Sequence, residues 1–409
     1  MSKVIYWIWL SFALGFSSSK LKTLIKEYDS AENIYHTDIN DIKFKCELSH
    51  IQIKALSDKS LDRCQKIIDN CRTSGIYIVA FDDERYPDIL RNIQDPPACL
   101  YCKGILPDFD SVPTVCLVGT RNADEYSCRA AWSLSARLTL ANVIVISGGA
   151  VGIDSSAHRG CLDVGGRTVA LLPCGLNYPY LKANFDLRQK IAENGCLISE
   201  YPPDYPVYRH AFHQRNRIMS GLSLGTVVIE AGEKSGALIT ARNAAEQGRD
   251  VFVVTGKPND KKYAGSNMLL RDGAIPIFSA EDIVSEYVHL FGNIINIDKA
   301  QDFDLQHLYR SVYGTVPKQK AGSVNTLQKT NKNDAKKILS EKINETLSKN
   351  AEIVYNYINN DFFTVDDLVS CGLSINDIFS ALTELELSGL IVAVPGGRYS
   401  KSNKENSFV

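Results

Sequence analysis

VIVISGGAVGIDSSAHRG, residues Val143 to Gly160, is the stretch that decides the fold of this chain. Its first four residues are apolar and mostly β-branched, which is typical of a strand buried on both faces. A glycine turn at 147–152 follows, and Asp154 opens a helical segment. Glycines between a strand and a helix let the backbone approach a ligand closely, and the free amides of a helix start favour an anion. The stretch therefore predicts a phosphate-binding turn in a parallel α/β sheet, with a tight turn that binds no ligand as the alternative.

The same pattern of strand and glycine turn occurs twice more. Residues 115–121, VCLVGTR, end in Gly119, Thr120 and Arg121, and residues 225–236, GTVVIEAGEKSG, end in a polar glycine turn. In a doubly wound sheet such turns converge at the carboxyl ends of the strands, where ligands bind. The three turns together predict a binding site for an anion.

Apolar runs alternate with helical patterns from residue 76 to about residue 291. The predicted strands are 76–80, 99–102, 114–118, 143–146, 168–172, 196–199, 227–230, 251–254 and 274–277. The predicted helices between them include 126–140, 156–164, 185–194, 238–247 and 281–287. This alternation predicts an α/β fold with a Rossmann-like, doubly wound and mostly parallel sheet that is covered on both faces.

The 409 residues are predicted to form three domains and a linker. Residues 1–75 show only helical patterns and indicate a small helical, SAM-like domain, and residues 76–295 form the α/β domain. Residues 296–350 lose the pattern and contain eight lysines after Pro317, so a flexible basic linker is expected, with a nucleic-acid tether as the alternative. Residues 351–409 indicate three short helices and a hairpin, which is a winged helix.

Composition and cysteine usage limit the location and the partners. The net charge of −2 means that any affinity for nucleic acid must come from a local patch. The eleven cysteines are scattered singly, apart from Cys99 and Cys102, which are expected to be packed thiols and not metal ligands. Free thiols in this number favour a reducing, cytoplasmic location.

The first residues resemble a signal peptide, since Lys3 precedes an apolar run from Val4 to Phe16. Three bulky aromatic residues within that run, Tyr6, Trp7 and Trp9, indicate a buried helix instead. No apolar run reaches the roughly 20 residues that a membrane span needs, so no membrane association is expected.

Polar residues are densest at 208–218, YRHAFHQRNRI. Cations interleaved with aromatic rings suit single-stranded nucleic acid, because cations meet phosphates and rings stack on bases. The alternative is a solvated loop in which Arg215 or Arg217 pairs with Glu200 or Glu230. Neither those two carboxylates nor Asp154 and Glu233 have an obvious nucleophile beside them, and His158 is expected to be a structural hydrogen-bonding group.

Seven ordered motifs in the α/β region point to one family. They are VGTR at 118–121, SGGAVGIDSSAH at 147–158, CGLNYP at 174–179, SEYPP at 199–203, FHQRNRIMSGLS at 212–223, EAGEKSGALITA at 230–241, and GSN at 265–267 with GA at 273–274. Together they strongly resemble the DNA-processing protein A family, also called DprA or Smf, over about residues 76–280. The helical start and the winged helix fit the layout of that family.

The resemblance implies an extended Rossmann domain that binds single-stranded DNA without a cofactor or metal. Members protect incoming single strands and help to load the recombinase RecA in natural transformation, usually as homodimers, and they are not enzymes. The cationic positions of the family fall on Arg121, Lys182 and Arg209, and its aromatic ring falls on Phe212. The complete set of predicted DNA-binding residues is Gly119, Thr120, Arg121, Ser147, Gly148, Gly149, Lys182, Arg209, Phe212, Arg215, Asn216, Arg217, Gly232, Lys234 and Ser235.

Two departures and two alternatives accompany the resemblance. Thr120 stands where serine is common, and Pro173 stands where glycine is frequent, but neither change removes a cation. The first alternative is a phosphoribohydrolase acting on nucleoside monophosphates, although such enzymes carry Pro-Gly-Gly-x-Gly-Thr where residues 231–236 read AGEKSG. The second is a transcription factor that reads DNA through the winged helix. The helix predicted at 374–388 is acidic and has no lysine or arginine, so an interaction or accessory module is expected.

Overall fold

The computed structural model describes residues 3–180, 182–301, 304–313, 348–358, 362–368, 371–388, 390–394 and 398–401. The chain divides into two compact units at about residue 316, and each unit has its own hydrophobic core. Among the helices in the described ranges, none is both long enough and apolar enough to cross a membrane.

The first unit begins with six helices. Their bounds are α1 Val4–Leu14, α2 Lys20–Tyr28, α3 Ala31–His36, α4 Ile39–Lys45, α5 His50–Ser57 and α6 Asp62–Thr73. As predicted, the aromatic stretch is a buried helix, and the Trp7 side chain is only 1% exposed. Residues of α1 belong to the same core as the first strands of the sheet, so these helices pack directly on the α/β part.

The sheet of this unit has nine strands. Their bounds are β1 Tyr77–Ala80, β2 Cys99–Gly104, β3 Thr114–Val118, β4 Ile144–Ser147, β5 Thr168–Leu171, β6 Cys196–Ser199, β7 Gly225–Val228, β8 Asp250–Val254 and β9 Ile275–Ile277. The strand order is β1-β2-β6-β5-β4-β3-β7-β8-β9. The seven strands that follow β2 in this order pair in parallel. At one edge, β2 pairs antiparallel with β6, and β1 pairs antiparallel with β2. The predicted Rossmann-like, mostly parallel sheet is confirmed.

The chain reverses its direction of winding between β3 and β7. From β3 it proceeds through β4 and β5 to β6 on one side, and through β7 and β8 to β9 on the other. Alternate residues of β3 enter separate cores, Cys116 and Val118 on one face and Val115 and Leu117 on the other. Both faces are therefore covered, and the carboxyl ends of β3 and β7 form the switch point where open α/β sheets bind ligands.

The remaining helices of the first unit cover the sheet. They are α7 Asp88–Arg91, α8 Glu125–Leu140, α9 Ile153–Asp163, α10 Phe185–Asn194, α11 Arg209–Gly221, α12 Ala237–Glu246, α13 Ala264–Arg271, α14 Ala280–Phe291, α15 Ile297–Gln301 and α16 Leu305–Tyr313. The sequence analysis predicts no helix at the position of α11. Its alternative for residues 208–218, a solvated loop, is wrong, because these residues are helical from Arg209 onwards.

The prediction of a linker that begins at residue 296 is also wrong for its first part. Leu305 in α16 is buried, and the Tyr309 ring lies 5.0 Å from the Trp132 ring of α8. The Tyr313 hydroxyl donates a hydrogen bond of 2.7 Å to Asp163. These contacts attach residues 297–313 to the α/β unit. Residues 314–347, the rest of the predicted linker, lie outside the described residues.

The second unit is a small α/β module. Its elements are α17 Lys349–Tyr357, β10 Phe362–Thr364, α18 Val365–Leu368, α19 Ile375–Leu387, β11 Ile391–Val394 and β12 Arg398–Lys401. The strands form an antiparallel sheet in the order β10-β12-β11. Ser374 caps α19 by accepting a hydrogen bond from the Asp377 amide. The winged helix is thus confirmed, with β10 as an additional strand; the predicted turn at 395–397 lies outside the described residues.

Candidate nucleic-acid interface

A cleft of about 740 Å³ opens at the carboxyl ends of β3 and β7, which is the switch point of the sheet. Ten of the fifteen predicted DNA-binding residues line it, namely Gly119, Thr120, Arg121, Arg209, Phe212, Arg215, Asn216, Gly232, Lys234 and Ser235. The other lining residues are Val118, Ala150, Asp154, His213, Met219, Gly236, Ala237, Ile239 and Thr240. The predicted glycines of two turns, Gly119 and Gly232, therefore line one cleft, and the third turn contributes only Ala150.

Backbone hydrogen bonds hold these turns together. The Thr120 amide donates to the Glu230 carbonyl at 2.9 Å, which ties the turn after β3 to the turn after β7. The Ile153 amide donates to the Thr120 carbonyl at 3.3 Å, which ties in the start of α9. Gly152 has a φ of 82°, and a Cβ at this position would collide with the backbone of Thr120 and Arg121. Glycine at position 152 therefore lets the turn after β4 pack closely against the turn after β3.

One face of α11 forms a wall of the cleft. Arg209, Phe212, His213 and Asn216 all line it, and their spacing of three and four residues is that of one helical face. This periodicity was the signal in the sequence that would have identified the helix. It would also have added His213, which is exposed beside Phe212 and is missing from the predicted set.

Cations and an aromatic ring come together on the cleft surface. Arg121, Arg209 and Lys234 are exposed, and Phe212 is half-buried. The Arg121 guanidinium carbon lies 4.8 Å from the centre of the Phe212 ring, which is cation–π geometry. The Tyr180 ring meets Phe212 edge-on at 5.8 Å. The result is a mixed cationic and aromatic surface.

Arg215 is a structural residue in this cleft. Its guanidinium donates to the Gly148 carbonyl at 2.7 Å and to the Leu171 carbonyl, and its Nε donates to the Asn216 side chain at 3.1 Å. The side chain is only 6% exposed. These bonds join the ends of β4 and β5 to α11.

The turn after β4 reaches the cleft only through Ala150, and its predicted phosphate-binding residues Ser147, Gly148 and Gly149 do not line the cleft. A Cβ at Gly148 would collide with the Arg215 guanidinium, so this glycine makes room for an arginine side chain. The Ser147 hydroxyl donates to the Leu117 carbonyl at 2.7 Å. The Gly149 carbonyl accepts a hydrogen bond of 3.0 Å from Asn184. Ser147, Gly148 and Gly149 are buried by these contacts, which corrects the prediction that they face a phosphate.

Arg217 points away from the cleft into a buried ion pair. Its guanidinium bonds both carboxylate oxygens of Glu200, at 2.6 and 2.7 Å, and lies 3.1 Å from Asp95. Burial raises the pKa of Glu200, and the charge of Arg217 opposes that rise. The pairing with Glu200 that the sequence left open is confirmed for Arg217, and its predicted exposure to DNA is corrected.

Lys182 is exposed but does not line the cleft. It lies two residues after Tyr180, in a single helical turn before α10. Arg188 donates to the carbonyls of Leu176 and Tyr180, both at 2.9 Å, and so fixes the loop that precedes Lys182. The binding of DNA by Lys182 stays a prediction.

Three further titratable groups near the sheet, Asp154, Glu230 and His158, are buried. Asp154 lines the cleft, and burial raises its pKa while the Arg215 charge lowers it. The Glu230 side chain is 1% exposed, and its Oε2 has no hydrogen-bond partner among the described residues. Burial lowers the pKa of His158 to about 3, and its ring bonds the Thr168 hydroxyl at 2.8 Å, as expected of a structural histidine. Cys99 and Cys102 are buried free thiols, also as expected.

Family models match both units of the chain. The model described as DNA recombination-mediator protein A matches residues 77–288, and the model described as DprA winged helix domain matches residues 340–397. Protein Smf of Synechocystis sp. is 30% identical over 405 residues, which cover 98% of this chain and 99% of the relative. DNA processing protein DprA of Bacillus subtilis is 36% identical over 58% of this chain and 81% of the relative.

A solved structure agrees with these matches. The X-ray structure of DNA processing protein A from Streptococcus pneumoniae superposes with a TM-score of 0.60 at 30% identity, over 69% of this chain and 97% of that one. The agreement thus extends from the motifs to the fold. The chain therefore belongs to the DNA-processing protein A (DprA/Smf) family, as its motifs between residues 118 and 274 predict.

Proposed function

We propose that this chain binds single-stranded DNA in the cleft between the ends of β3 and β7. The observation that carries the proposal is that three exposed cations, Arg121, Arg209 and Lys234, line one cleft together with the half-buried ring of Phe212. Single-strand binding proteins combine a cationic groove that follows the phosphates with rings on which bases stack. Such a surface needs no base-specific contact, so binding is expected to tolerate any sequence.

Within this proposal the residues have separate tasks. Arg121, Arg209 and Lys234 neutralise phosphates, and the backbone at Gly119 and Gly232 lets the strand approach the sheet closely. Phe212 stacks on a base, with Tyr180 supporting its edge. Thr120, Ser235 and Asn216 supply polar groups to the same cleft.

A salt titration tests the proposal directly. For an oligothymidylate of about 4 nucleotides, which fills only the cleft, we expect the logarithm of the binding constant to fall with the logarithm of salt at a slope of roughly −2, because each of three phosphate contacts contributes about −0.7. Arg121→Ala should make the slope shallower by about 0.7. Arg72→Ala, which removes an exposed arginine from α6, is the matched control. A binding constant that does not change with salt would contradict the proposal.

The biological role that we propose is the one implied by the family. The chain would protect incoming single strands in natural transformation and help to load RecA, and the eleven free cysteines favour a reducing, cytoplasmic setting. The measurement is RecA filament formation on coated single strands with and without this protein. Unchanged filament formation would argue against a loading role.

We also propose that the chain forms a homodimer through the α/β unit. The support is two exposed apolar side chains near the β9 edge of the sheet, Phe278, which is 83% exposed, and Met268, which is 42% exposed. Sedimentation of the parent and of Phe278→Glu checks this. A monomeric parent would contradict it.

We infer a binding protein and not an enzyme. The phosphoribohydrolase alternative is not favoured, because the turn after β7 reads AGEKSG where those enzymes carry their own motif, and because the family match points to DNA. Incubation with nucleoside monophosphates, followed by chromatography for free base, separates the two. Release of base that is lost in Glu230→Gln would overturn the inference.

A further inference from the structure

The segment that follows β8 carries a second group of cations. Lys257, Lys261 and Lys262 are all exposed within residues 255–263. None of the three belongs to the predicted DNA-binding set, and none lines the cleft.

This segment lies at the border of the cleft. β8 is the parallel neighbour of β7, so the segment after it leaves the same edge of the sheet. The Ser266 amide donates to the Ala231 carbonyl at 3.0 Å, and the Ala231 amide donates to the Ser266 hydroxyl at 2.9 Å. A Cβ at Gly232 would lie 3.3 Å from the Lys261 carbonyl oxygen. The lysine segment therefore directly adjoins the Gly232 turn that lines the cleft.

The neighbouring side chains leave two of the lysines available. Lys262 pairs with Asp124 at 3.5 Å, and the Asp260 carboxylate accepts a hydrogen bond from the Lys262 amide at 3.0 Å. In the part of the chain that the structure describes, Lys257 and Lys261 form no ion pair. The Tyr263 hydroxyl bonds the Ser127 hydroxyl at 2.8 Å, which attaches the end of the segment to α8.

We propose that Lys257 and Lys261 bind phosphates of a single strand after it leaves the cleft past the Gly232 turn. This inference rests on the function proposed above and extends its DNA path across the ends of three adjacent strands. Arg121 follows β3, Lys234 follows β7 and Lys257 follows β8, so the cations form a row in the order of the strands. An ammonium group on a flexible stem neutralises a phosphate without fixed geometry, which suits a sequence-independent path.

The test compares two double variants of equal charge. Lys257→Gln with Lys261→Gln removes the proposed contacts, and Lys43→Gln with Lys54→Gln removes two exposed lysines from α4 and α5. Both change the net charge from −2 by the same amount, so any effect of the global field cancels. With an oligothymidylate of about 16 nucleotides, the first variant should make the salt slope shallower by about 1.4, which is two contacts at about 0.7 each. The control should keep the parent slope.

The length of the oligonucleotide locates the effect. With about 4 nucleotides, enough only for the cleft, the Lys257 and Lys261 variant should bind like the parent. If its slope with the long oligonucleotide equals that of the parent, or if the control variant loses as much, the lysines are solvated side chains and the inference is wrong. Failure of the cleft itself is a different result, because then Arg121→Ala would also leave binding unchanged.

Discussion

Arg121 and Phe212 form one unit in the cleft. The guanidinium lies over the ring at 4.8 Å, so each side chain restricts the other before any DNA is bound. A base that stacks on Phe212 has to use the remaining face of the ring or displace the guanidinium towards a phosphate. Either way, the contribution of one residue to binding depends on the other.

We therefore predict that the effects of Arg121→Ala and Phe212→Ala on single-strand affinity are not additive. Loss of the ring should cost about 1–3 kcal/mol with little change of salt slope, whereas loss of the cation should also make the slope shallower. The double variant should lose less than the sum by about 0.5–1 kcal/mol, because an exposed cation–π contact is of that size. Fluorescence anisotropy titrations of the four proteins measure this.

Phe212→Leu is the matched control for this comparison of four proteins, since leucine keeps an apolar side chain but lacks the flat ring on which a base can stack. It should bind like Phe212→Ala. Additivity within roughly 0.3–0.5 kcal/mol would mean that the two side chains act independently and that their contact in the free protein has no role in binding.

At the scale of elements, α11 has two faces with different tasks. One face lines the cleft, and the other is anchored to the loop after α1. The Arg217 Nε donates to the Ser17 hydroxyl at 2.9 Å, and the Gln214 amide donates to the Phe16 carbonyl at 3.4 Å. The Ser17 amide in turn donates to Glu200 at 3.3 Å. The N-terminal helices thus hold the helix that carries Arg209 and Phe212.

We predict that Arg217→Met strongly destabilises the first unit. Glu200 would remain buried without its partner, and breaking a buried pair on one side costs about 3–5 kcal/mol. Arg217→Met with Glu200→Met should recover most of that loss, because apolar side chains of similar volume often replace a buried pair at little cost. Urea denaturation of the three variants measures the free energy of unfolding. Equal destabilisation by the single and the double variant would show that the ion pair does not determine the effect.

The sequence predicts the strands well because buried parallel strands are short apolar runs between turns. β3 and β6 have the predicted bounds, and the bounds of the other seven strands differ by at most two residues. The sequence does not predict α11, because arginines occupy buried positions of this helix where apolar side chains usually occur. Arg215 and Arg217 are enclosed by partners that come from residues 67 and 17 positions away in sequence, Gly148 and Glu200. The sequence raises the pairing of Arg217 with Glu200 only as one of several alternatives, and the fold selects it, so two of the predicted cations are structural.

At the scale of the whole molecule, the chain combines two units with separate cores. The core of the second unit contains residues from α17, α19 and β11, among them Val354, Leu382 and Ile391. The two family models match one unit each. A separate core and a separate family match indicate that residues 345–409 form a module that can be studied alone.

We predict that this winged helix is an interaction module and not a reader of DNA sequence. A reading helix offers arginine, lysine, asparagine or glutamine to base edges, but residues 374–388 contain Asp377, Glu384 and Glu386 and no cation. The Thr383 hydroxyl, one of the few remaining polar groups, donates to the Phe379 carbonyl at 2.9 Å. The Phe379 side chain is 49% exposed, so α19 presents an acidic and apolar surface that repels a polyanion.

The experiment is to titrate residues 345–409 alone with duplex DNA at low salt, beside the full chain and a chain that ends at residue 316. We expect no sequence-selective binding by the fragment, and single-strand affinity of the shortened chain within about twofold of the parent, since no cleft residue is removed. Circular dichroism of the fragment confirms that it is folded when it fails to bind. Tight, sequence-selective duplex binding by the fragment would overturn the prediction.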